Sequence, residues 1–272
     1  MKTTVQNGDV TIPIWRYGQG QQIIFFNGFR STHAVWNRVR KNLAGKYEII
    51  TFDFRGHGQA SKADDYSYEA FLSDADTVLN SVGANKPIIV AWSMGADIAV
   101  TYAAKHHGEI GGIVVVDGAS PTLKPLYESI EDTRKELGKL SVKAINLLIR
   151  PTPHKNKLST DDMVEIISKL DAHRSEMLDL LAEADCPITM IMALRPWSEK
   201  HPVTRRKNYV WKEGIERIYK AIPYISVQWI NDSHRLPIKH PKEIAEVTED
   251  FINYINNNNN VKTFASVDLT AK

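Results

Sequence analysis

The chain has 272 residues, of which 43% are hydrophobic and 24% are charged, and its formal net charge is +2 at pH 7. This composition is ordinary for a globular protein, and the near-neutral charge gives no argument for a nucleic-acid or acidic-membrane partner. A chain of this length can bury roughly three quarters of its unfolded surface, so it needs no disulfide to fold. The single cysteine, Cys186, excludes an internal disulfide and fits a reducing cytoplasm.

The beginning of the sequence has no apolar run after Lys2, so we expect no secretory signal. No window offers about 18 uninterrupted apolar residues, so we expect no membrane span. The sequence therefore predicts a soluble, cytoplasmic protein without a nucleic-acid partner. Its oligomeric state stays open.

Short apolar runs rich in Ile, Val and Phe recur along the chain, and turn residues bound each of them. Such continuous runs suit strands that are buried on both faces of a parallel sheet. Because segments with helical spacing separate them, we predict an α/β fold with right-handed crossovers. An antiparallel hairpin that ends in residues 10–17 is expected beside the sheet. The predicted strands are residues 23–26, 47–53, 87–92, 113–117, 187–193 and 225–230, and the clearest helices are 68–82, 94–107 and 241–255.

Residues 120–185 interrupt this alternation, because they are too many for one crossover helix. They contain amphipathic segments at 126–140, 142–149 and 161–184. We predict a helical cap over the sheet, although extra packing helices without a role at the site are the alternative. The core would then comprise residues 1–119 and 186–255. Residues 256–272 begin with an asparagine run and are expected to form a poorly ordered tail without function at the site.

Ser93 follows an apolar strand and opens a helical pattern. A sharp turn there would hold the serine in a strained conformation, and the residues two before and two after it must be small. These are Ala91 and Gly95. The helix dipole would also favour a developing negative charge beside Ser93. The pattern predicts a nucleophile, and an N-cap serine is the alternative.

A nucleophilic serine needs a neighbouring base to accept its proton. Among the nine histidines, His234 follows the last predicted strand and precedes the C-terminal helix. Loops at the carboxyl ends of the strands converge at one edge of a doubly wound sheet, so His234 and Ser93 would lie on the same edge. His234 is therefore the predicted base, and His240 is the fallback.

Four segments, in their order and spacing, resemble the α/β-hydrolase superfamily. They are residues 25–29 (FFNGF), 52–61 (FDFRGHGQAS), 91–95 (AWSMG) and 233–241 (SHRLPIKHP). The resemblance covers roughly residues 10–254 and implies the α/β-hydrolase fold with a serine esterase or lipase-like chemistry. At the first position of the usual G-x-S-x-G pattern, this chain has Ala91. Alanine is small, so the turn remains possible.

The resemblance also implies two backbone N–H donors for a tetrahedral oxyanion, those of Met94 and Phe29. Asn27 replaces the usual histidine of this loop, but the donor is a backbone group and is therefore retained. A simple strand-ending turn at Asn27 and Gly28 is the alternative. The substrate pocket is predicted beside Gly28, Phe29 and Trp92, with further apolar residues from the cap.

The acid of the triad departs from the superfamily pattern. An aspartate is common in the loop after the seventh strand, but residues 193–199 (ALRPWSE) contain none. Asp117 ends the preceding strand, where some lipase-like members carry the acid, and it is the preferred candidate. Glu199 is the alternative acid. A dyad without an acid, or Asp232, also remains open.

Several other polar residues are interpreted as structural. In residues 53–58, a buried Arg–Asp contact and a glycine-enabled turn explain the motif, so His57 is not expected to be catalytic. Cys186 is interpreted as a packing residue. The remaining charged groups are interpreted as surface charge, and neither a metal nor a cofactor is expected. These groups are Asp161, Asp162, Asp171 and His173, together with Arg205, Arg206 and Lys207 on an exposed helical face.

The preferred function is hydrolysis of a small ester or lactone with an apolar acyl group. A non-hydrolytic signalling or ligand-binding relative is the first alternative. A carbon–carbon hydrolase or a cofactor-free peroxidase-like enzyme is the second. Epoxide hydrolases and haloalkane dehalogenases are disfavoured because they place an aspartate where this chain has Ser93.

Overall fold

The computed structural model describes residues 1–137 and 157–258. These residues contain an eight-stranded sheet. The strand order is β1-β2-β4-β3-β5-β6-β7-β8, with β1 and β2 antiparallel to their neighbours and all other pairs parallel. This confirms the predicted mostly parallel sheet with a hairpin at its edge. The strands are β1 (Lys2–Asn7), β2 (Val10–Tyr17), β3 (Gln22–Phe26), β4 (Glu48–Phe52), β5 (Ile88–Trp92), β6 (Gly112–Val116), β7 (Ile188–Ala193) and β8 (Ser226–Ile230).

Helices cover both faces of the sheet. Trp36 and Phe251 are fully buried on one face, and Phe71 and Trp211 are buried on the other. The central strands are apolar throughout because both of their faces are covered; every residue of β5 and β6 is buried. The helices of the described residues are a 3-10 turn (His33–Trp36), α1 (Asn37–Leu43), α2 (Tyr68–Ser81), α3 (Met94–Lys105), α4 (Ile130–Leu137), α5 (Thr160–His173), α6 (Met177–Glu183), α7 (Pro202–Ala221), α8 (Leu236–Lys239) and α9 (Pro241–Asn257).

The segment between β6 and β7 is helical where it is described, in α4, α5 and α6. Helix α5 packs against α4 and α2, and α6 packs against α3. Ser159 caps α5 through a capping box with Asp162, which gives this predicted surface carboxylate a structural role. The predicted segment 142–149, and part of 126–140, lie outside the described residues. That residues 120–185 form a separate cap stays a proposal.

Three expectations about individual residues need correction. Lys207 does not lie on an exposed helical face: its side chain is 0% exposed, and Nζ donates to Glu136 Oε2 at 2.6 Å. A charged residue is tolerated there because the lysine gains this carboxylate partner. Asp171 is buried rather than on the surface, and its Oδ2 accepts the backbone N–H of Tyr127 at 3.1 Å. The expected buried Arg–Asp contact is present, between Arg55 and Asp74. Helix α9 continues to Asn257, so the asparagine run begins inside a helix rather than in the tail.

Candidate active site

Ser93 lies in the sharp turn between β5 and α3. Its backbone has φ 56° and ψ −125°, a strained conformation for a residue with a side chain. The turn brings the helix against β3, and a Cβ on Gly95 would lie 2.6 Å from the carbonyl oxygen of Phe26. Glycine is therefore required two residues after Ser93. The other flanking position tolerates a methyl group, because Ala91 fits as a fully buried strand residue.

The structure brings Ser93, His234 and Asp117 into one hydrogen-bonded series. His234 Nε2 lies 2.9 Å from Ser93 Oγ, and His234 Nδ1 lies 2.6 Å from Asp117 Oδ2. All three residues follow the carboxyl ends of strands, β5, β6 and β8. This arrangement gives the serine a proton acceptor and gives the imidazole a partner that fixes its tautomer.

Asp117 is 0% exposed and its backbone has φ +44°. Besides the contact with His234, its Oδ1 accepts the backbone N–H of Ala193 and the indole N–H of Trp211, both at 3.1 Å. These two hydrogen bonds fix the orientation of the carboxylate and leave Oδ2 for His234. The Asp117 carboxylate is thus well placed to stabilise an imidazolium at His234.

The other candidate acids have different partners. Glu199 is exposed and its carboxylate accepts a hydrogen bond from the side chain of Asn208. Asp232 binds Lys239 and His240, the fallback base. His240 in turn contacts Glu243 at 3.0 Å. This second ionic cluster anchors the loop after β8.

Three tryptophans support His234. The indole N–H of Trp92 donates to the His234 carbonyl at 2.9 Å, and the Trp197 ring is stacked with the imidazole at a centroid distance of 6.0 Å. Trp211 packs edge-on against Trp197 while it binds Asp117. The sequence does not predict a role at the site for Trp197 or Trp211. No local pattern marks them, because their roles depend on contacts between distant segments.

The predicted oxyanion loop lies directly against Ser93. A Cβ on Gly28 would lie 3.0 Å from Ser93 Cβ, so only glycine lets the loop approach this closely. The Asn27 side chain donates to the Ser31 carbonyl at 2.9 Å and fixes the loop. Within residues 1–137 and 157–258, the backbone N–H groups of Phe29 and Met94 donate to no protein acceptor. Both groups are consequently available to a ligand.

A cavity of about 300 Å³ opens beside Ser93 and His234. Trp92 packs beneath Gly28 and the imidazole, so it supports the site more than it lines this cavity. The segment between β6 and β7 contributes much of the cavity wall. The cavity is lined by Phe29, Arg30, Ser93, Met94, Leu126, Tyr127, Glu136, Leu137, Ile167, Leu170, Arg174, Trp197 and His234.

The other polar residues that the sequence singles out lie outside the site formed by Ser93, His234 and Asp117. His57 is buried and its Nδ1 is bonded to the Arg55 carbonyl; burial lowers the pKa of this imidazole. Cys186 is a buried thiol. In the described part of the chain, no three His, Cys, Asp or Glu side chains are grouped closely enough to hold a metal ion. None of its helices is long and apolar enough to cross a membrane.

Comparisons with known proteins agree with this architecture. The family described as alpha/beta hydrolase fold matches residues 22–141. The AB hydrolase superfamily protein YisY of Bacillus subtilis is 28% identical over 123 residues, which are 43% of this chain and 46% of YisY. The 2-(acetamidomethylene)succinate hydrolase of Mesorhizobium japonicum is 30% identical over 115 residues, 42% of this chain and 41% of that enzyme. The malate-bound structure of a thermophilic esterase from Thermogutta terrifontis superimposes with a TM-score of 0.70 at 17% identity, covering 94% of this chain and 99% of the esterase chain.

The matched segment contains the predicted oxyanion loop, the Ser93 turn and Asp117. Together with the strand order and the structural likeness, it shows that the chain has the α/β-hydrolase fold. The matching segments span less than half the length of the curated relatives described above. Those similarities support the fold and leave the substrate to be argued from the site.

Proposed function

We propose that the protein is a serine hydrolase that cleaves a carboxylic-ester-like bond through an acyl-enzyme. The observation that carries this proposal is the hydrogen-bonded series from Ser93 Oγ through His234 to Asp117, at 2.9 and 2.6 Å. Both distances lie in the range that proton transfer requires. No cofactor is needed for this chemistry.

In the first half of the reaction, Ser93 Oγ bonds to the carbonyl carbon while His234 Nε2 takes the hydroxyl proton. The carbonyl oxygen becomes an oxyanion, which the backbone N–H groups of Phe29 and Met94 stabilise. Collapse of the tetrahedral intermediate breaks the bond to the leaving group. His234 then returns the proton to the departing alcohol oxygen, and the acyl group remains on Ser93.

Water completes the cycle. It attacks the acyl carbon while His234 Nε2 accepts one of its protons, and the second tetrahedral intermediate uses the same two N–H donors. When the bond to Ser93 Oγ breaks, the proton moves from His234 back to the serine and the carboxylic acid leaves. Asp117 stabilises the imidazolium in both halves without taking up a proton itself.

The cavity wall supports a small ester or lactone with an apolar acyl portion. Leu126, Leu137, Ile167 and Leu170 provide apolar surface, and about 300 Å³ suits a small substrate. One structural relative is named an esterase and one sequence relative a hydrolase of a substituted succinate, which favours hydrolysis at this site over a purely ligand-binding role. We also propose that residues 120–185 act as the cap that closes over this cavity.

A fluorophosphonate probe with intact-mass detection tests the nucleophile. Wild-type protein is expected to gain one label, Ser93→Ala to gain none, and the exposed-surface control Ser73→Ala to behave as wild type. A panel of 4-nitrophenyl esters and lactones of graded length then tests the reaction. A wild-type protein that neither labels nor cleaves any member of the panel would favour the non-hydrolytic alternative.

A further inference from the structure

The loop that follows β6 holds Asp117 in a backbone conformation that residues with a side chain seldom adopt. Asp117 has φ +44° and Ala119 has φ +49°, both in the left-handed region. Between them, a Cβ on Gly118 would lie 2.6 Å from the Ser93 carbonyl oxygen, so this loop packs directly against the turn at the serine. Such conformations are strained and persist only where their surroundings hold them. The contacts that hold this loop therefore determine where the Asp117 carboxylate lies.

Asp97 holds the far end of this loop. It lies in the first turn of α3 and is 1% exposed. Its Oδ1 accepts the backbone N–H of Ala119 at 2.7 Å, and its own backbone N–H donates to the Ser93 carbonyl at 3.3 Å. One residue thus ties the loop of Asp117 to the helix that begins after Ser93. Because a buried N–H group without an acceptor is costly, the Asp97 carboxylate favours the strained form of the loop.

Arg174 holds the other oxygen of Asp97. Its Nη2 lies 3.1 Å from Asp97 Oδ2, and both side chains are buried. The guanidinium also lies over the Trp211 ring, 5.1 Å from its centre. The indole N–H of Trp211 in turn donates to Asp117 Oδ1 at 3.1 Å. Because a guanidinium keeps its proton in proteins, Arg174 is a permanent positive charge in contact with both side chains that hold the loop.

We propose that Asp97 is a positioning residue of the hydrolase, which holds the loop after β6 so that the Asp117 carboxylate meets His234. The inference rests on the proposed hydrolase function. Asp97 is not among the residues that line the cavity beside Ser93, and it acts only through Asp117. When its carboxylate is removed, the Ala119 N–H loses its acceptor and the loop relaxes. Asp117 Oδ2 then leaves its 2.6 Å contact with His234.

A double-variant comparison tests whether Asp97 acts through Asp117. Asp97→Ala is expected to lower kcat for 4-nitrophenyl butyrate by about tenfold or more. In the Asp117→Asn background, the same change should lower the residual kcat less than twofold, because no carboxylate is left to position. Equal fold-losses in the two backgrounds would overturn the inference, because a general loss of folded protein lowers kcat in both.

Asp74→Ala is the matched control. Asp74 is also fully buried, lies 2.7 Å from the guanidinium of a buried arginine, Arg55, and accepts one backbone N–H. Its hydrogen bonds within the described residues are to Asn7 and Arg55, away from the loop of Asp117. We expect Asp74→Ala to lower the melting temperature as Asp97→Ala does, and to keep kcat within twofold of wild type. A tenfold loss of kcat in both variants would assign Asp97 a structural role only.

A second pair of variants keeps the test valid if Asp97→Ala does not fold. Asp97→Leu with Arg174→Met replaces the ion pair by apolar side chains of similar size, an exchange that proteins often tolerate. It leaves the Ala119 N–H without an acceptor, so kcat should again fall by about tenfold or more. Asp97→Asn with Arg174→Met returns an amide oxygen for that N–H and should recover kcat at least threefold. Equal kcat values in these two double variants would refute the positioning role.

Failure of the hydrolase proposal would give a different result. If wild-type protein neither labels with fluorophosphonate nor cleaves an ester, crystal structures of wild type and of Asp97→Leu with Arg174→Met decide the inference alone. A separation of Asp117 Oδ2 from His234 Nδ1 above about 3.5 Å in the variant, beyond hydrogen-bond reach, supports the positioning role. A contact that stays at the 2.6 Å of the wild-type structure refutes it.

Discussion

Replacement of Asp117 by asparagine tests the proposed triad most directly, because the surroundings of Asp117 dictate how the new amide must lie. Oδ1 of the aspartate accepts two N–H groups, from Ala193 and Trp211. The asparagine must present its carbonyl oxygen to these donors, since the opposite orientation would place its NH₂ group against both of them. Each unsatisfied buried donor would cost about 1–3 kcal/mol.

The asparagine NH₂ group therefore faces His234 Nδ1, which becomes an acceptor. The proton of the neutral imidazole then lies on Nε2 and points at Ser93 Oγ, so the base can no longer accept the serine proton. The same change of tautomer in a Ser-His-Asp protease lowers kcat by about 10⁴-fold. We expect a loss of similar size here, equivalent to about 5 kcal/mol of transition-state stabilisation.

Steady-state hydrolysis of a 4-nitrophenyl ester measures the effect, and the melting temperature verifies that the variant is folded. Glu199→Gln is the matched control, because Glu199 contacts Asn208 and lies in an exposed loop. We expect its kcat to stay within twofold of wild type. A folded Asp117→Asn variant with kcat within tenfold of wild type would refute the assignment, and a large loss in Glu199→Gln would point to the later loop.

Three further variants test the packing around the site. Gly95→Ala should destabilise the fold by about 3 kcal/mol through overpacking against the β3 carbonyl, measured as a lower melting temperature; an unchanged value would contradict the close approach. Trp211→Phe keeps an aromatic ring but removes the indole N–H that donates to Asp117. A hydrogen bond to a charged group contributes about 1.5–3 kcal/mol. We therefore expect kcat and the fluorophosphonate labelling rate to fall together by about tenfold. For His240, burial lowers the pKa but the bonds to its two carboxylate neighbours dominate and raise it. Protonated His240 therefore contributes its full stabilisation of the folded protein below the ordinary histidine pKa. This contribution disappears as the pH rises through the raised pKa of His240. The melting temperature of His240→Gln should fall further below wild type at pH 5.5 than at pH 9, and an equal difference at both would contradict the ionic contact with Asp232.

The sheet was predictable from the sequence because its strands are buried on both faces. The six central apolar runs match strands β3 to β8 with each end within one residue. The turn at Ser93 was equally predictable, since the small residues around it follow from local sterics. Continuous apolar runs and small side chains are local properties of the sequence, and they are sufficient to predict the strands and the turn at Ser93.

The supporting residues could not be predicted in the same way. Trp211 lies 94 residues from Asp117 in sequence, and only the position of α7 beside β6 brings the indole to the carboxylate. Lys207 belongs to a basic run that is typical of a solvated helix face, and its burial depends on Glu136 from another helix. Arg174 is similarly paired with Asp97 of α3, which is distant from it in sequence. Such contacts depend on the docking of whole segments and leave no periodic pattern in the sequence.

Because the candidate acid Asp117 follows β6, the loop after β7 does not have to supply an acid to His234. That loop contacts His234 through the Pro196 carbonyl and the Trp197 ring, while residues 198–201 are exposed. These four residues can vary in length and composition without displacing a proton-transfer group. An engineer who wishes to alter the surface next to Trp197 therefore has a segment available for insertion libraries, and natural relatives with the same arrangement would be free to diversify there first.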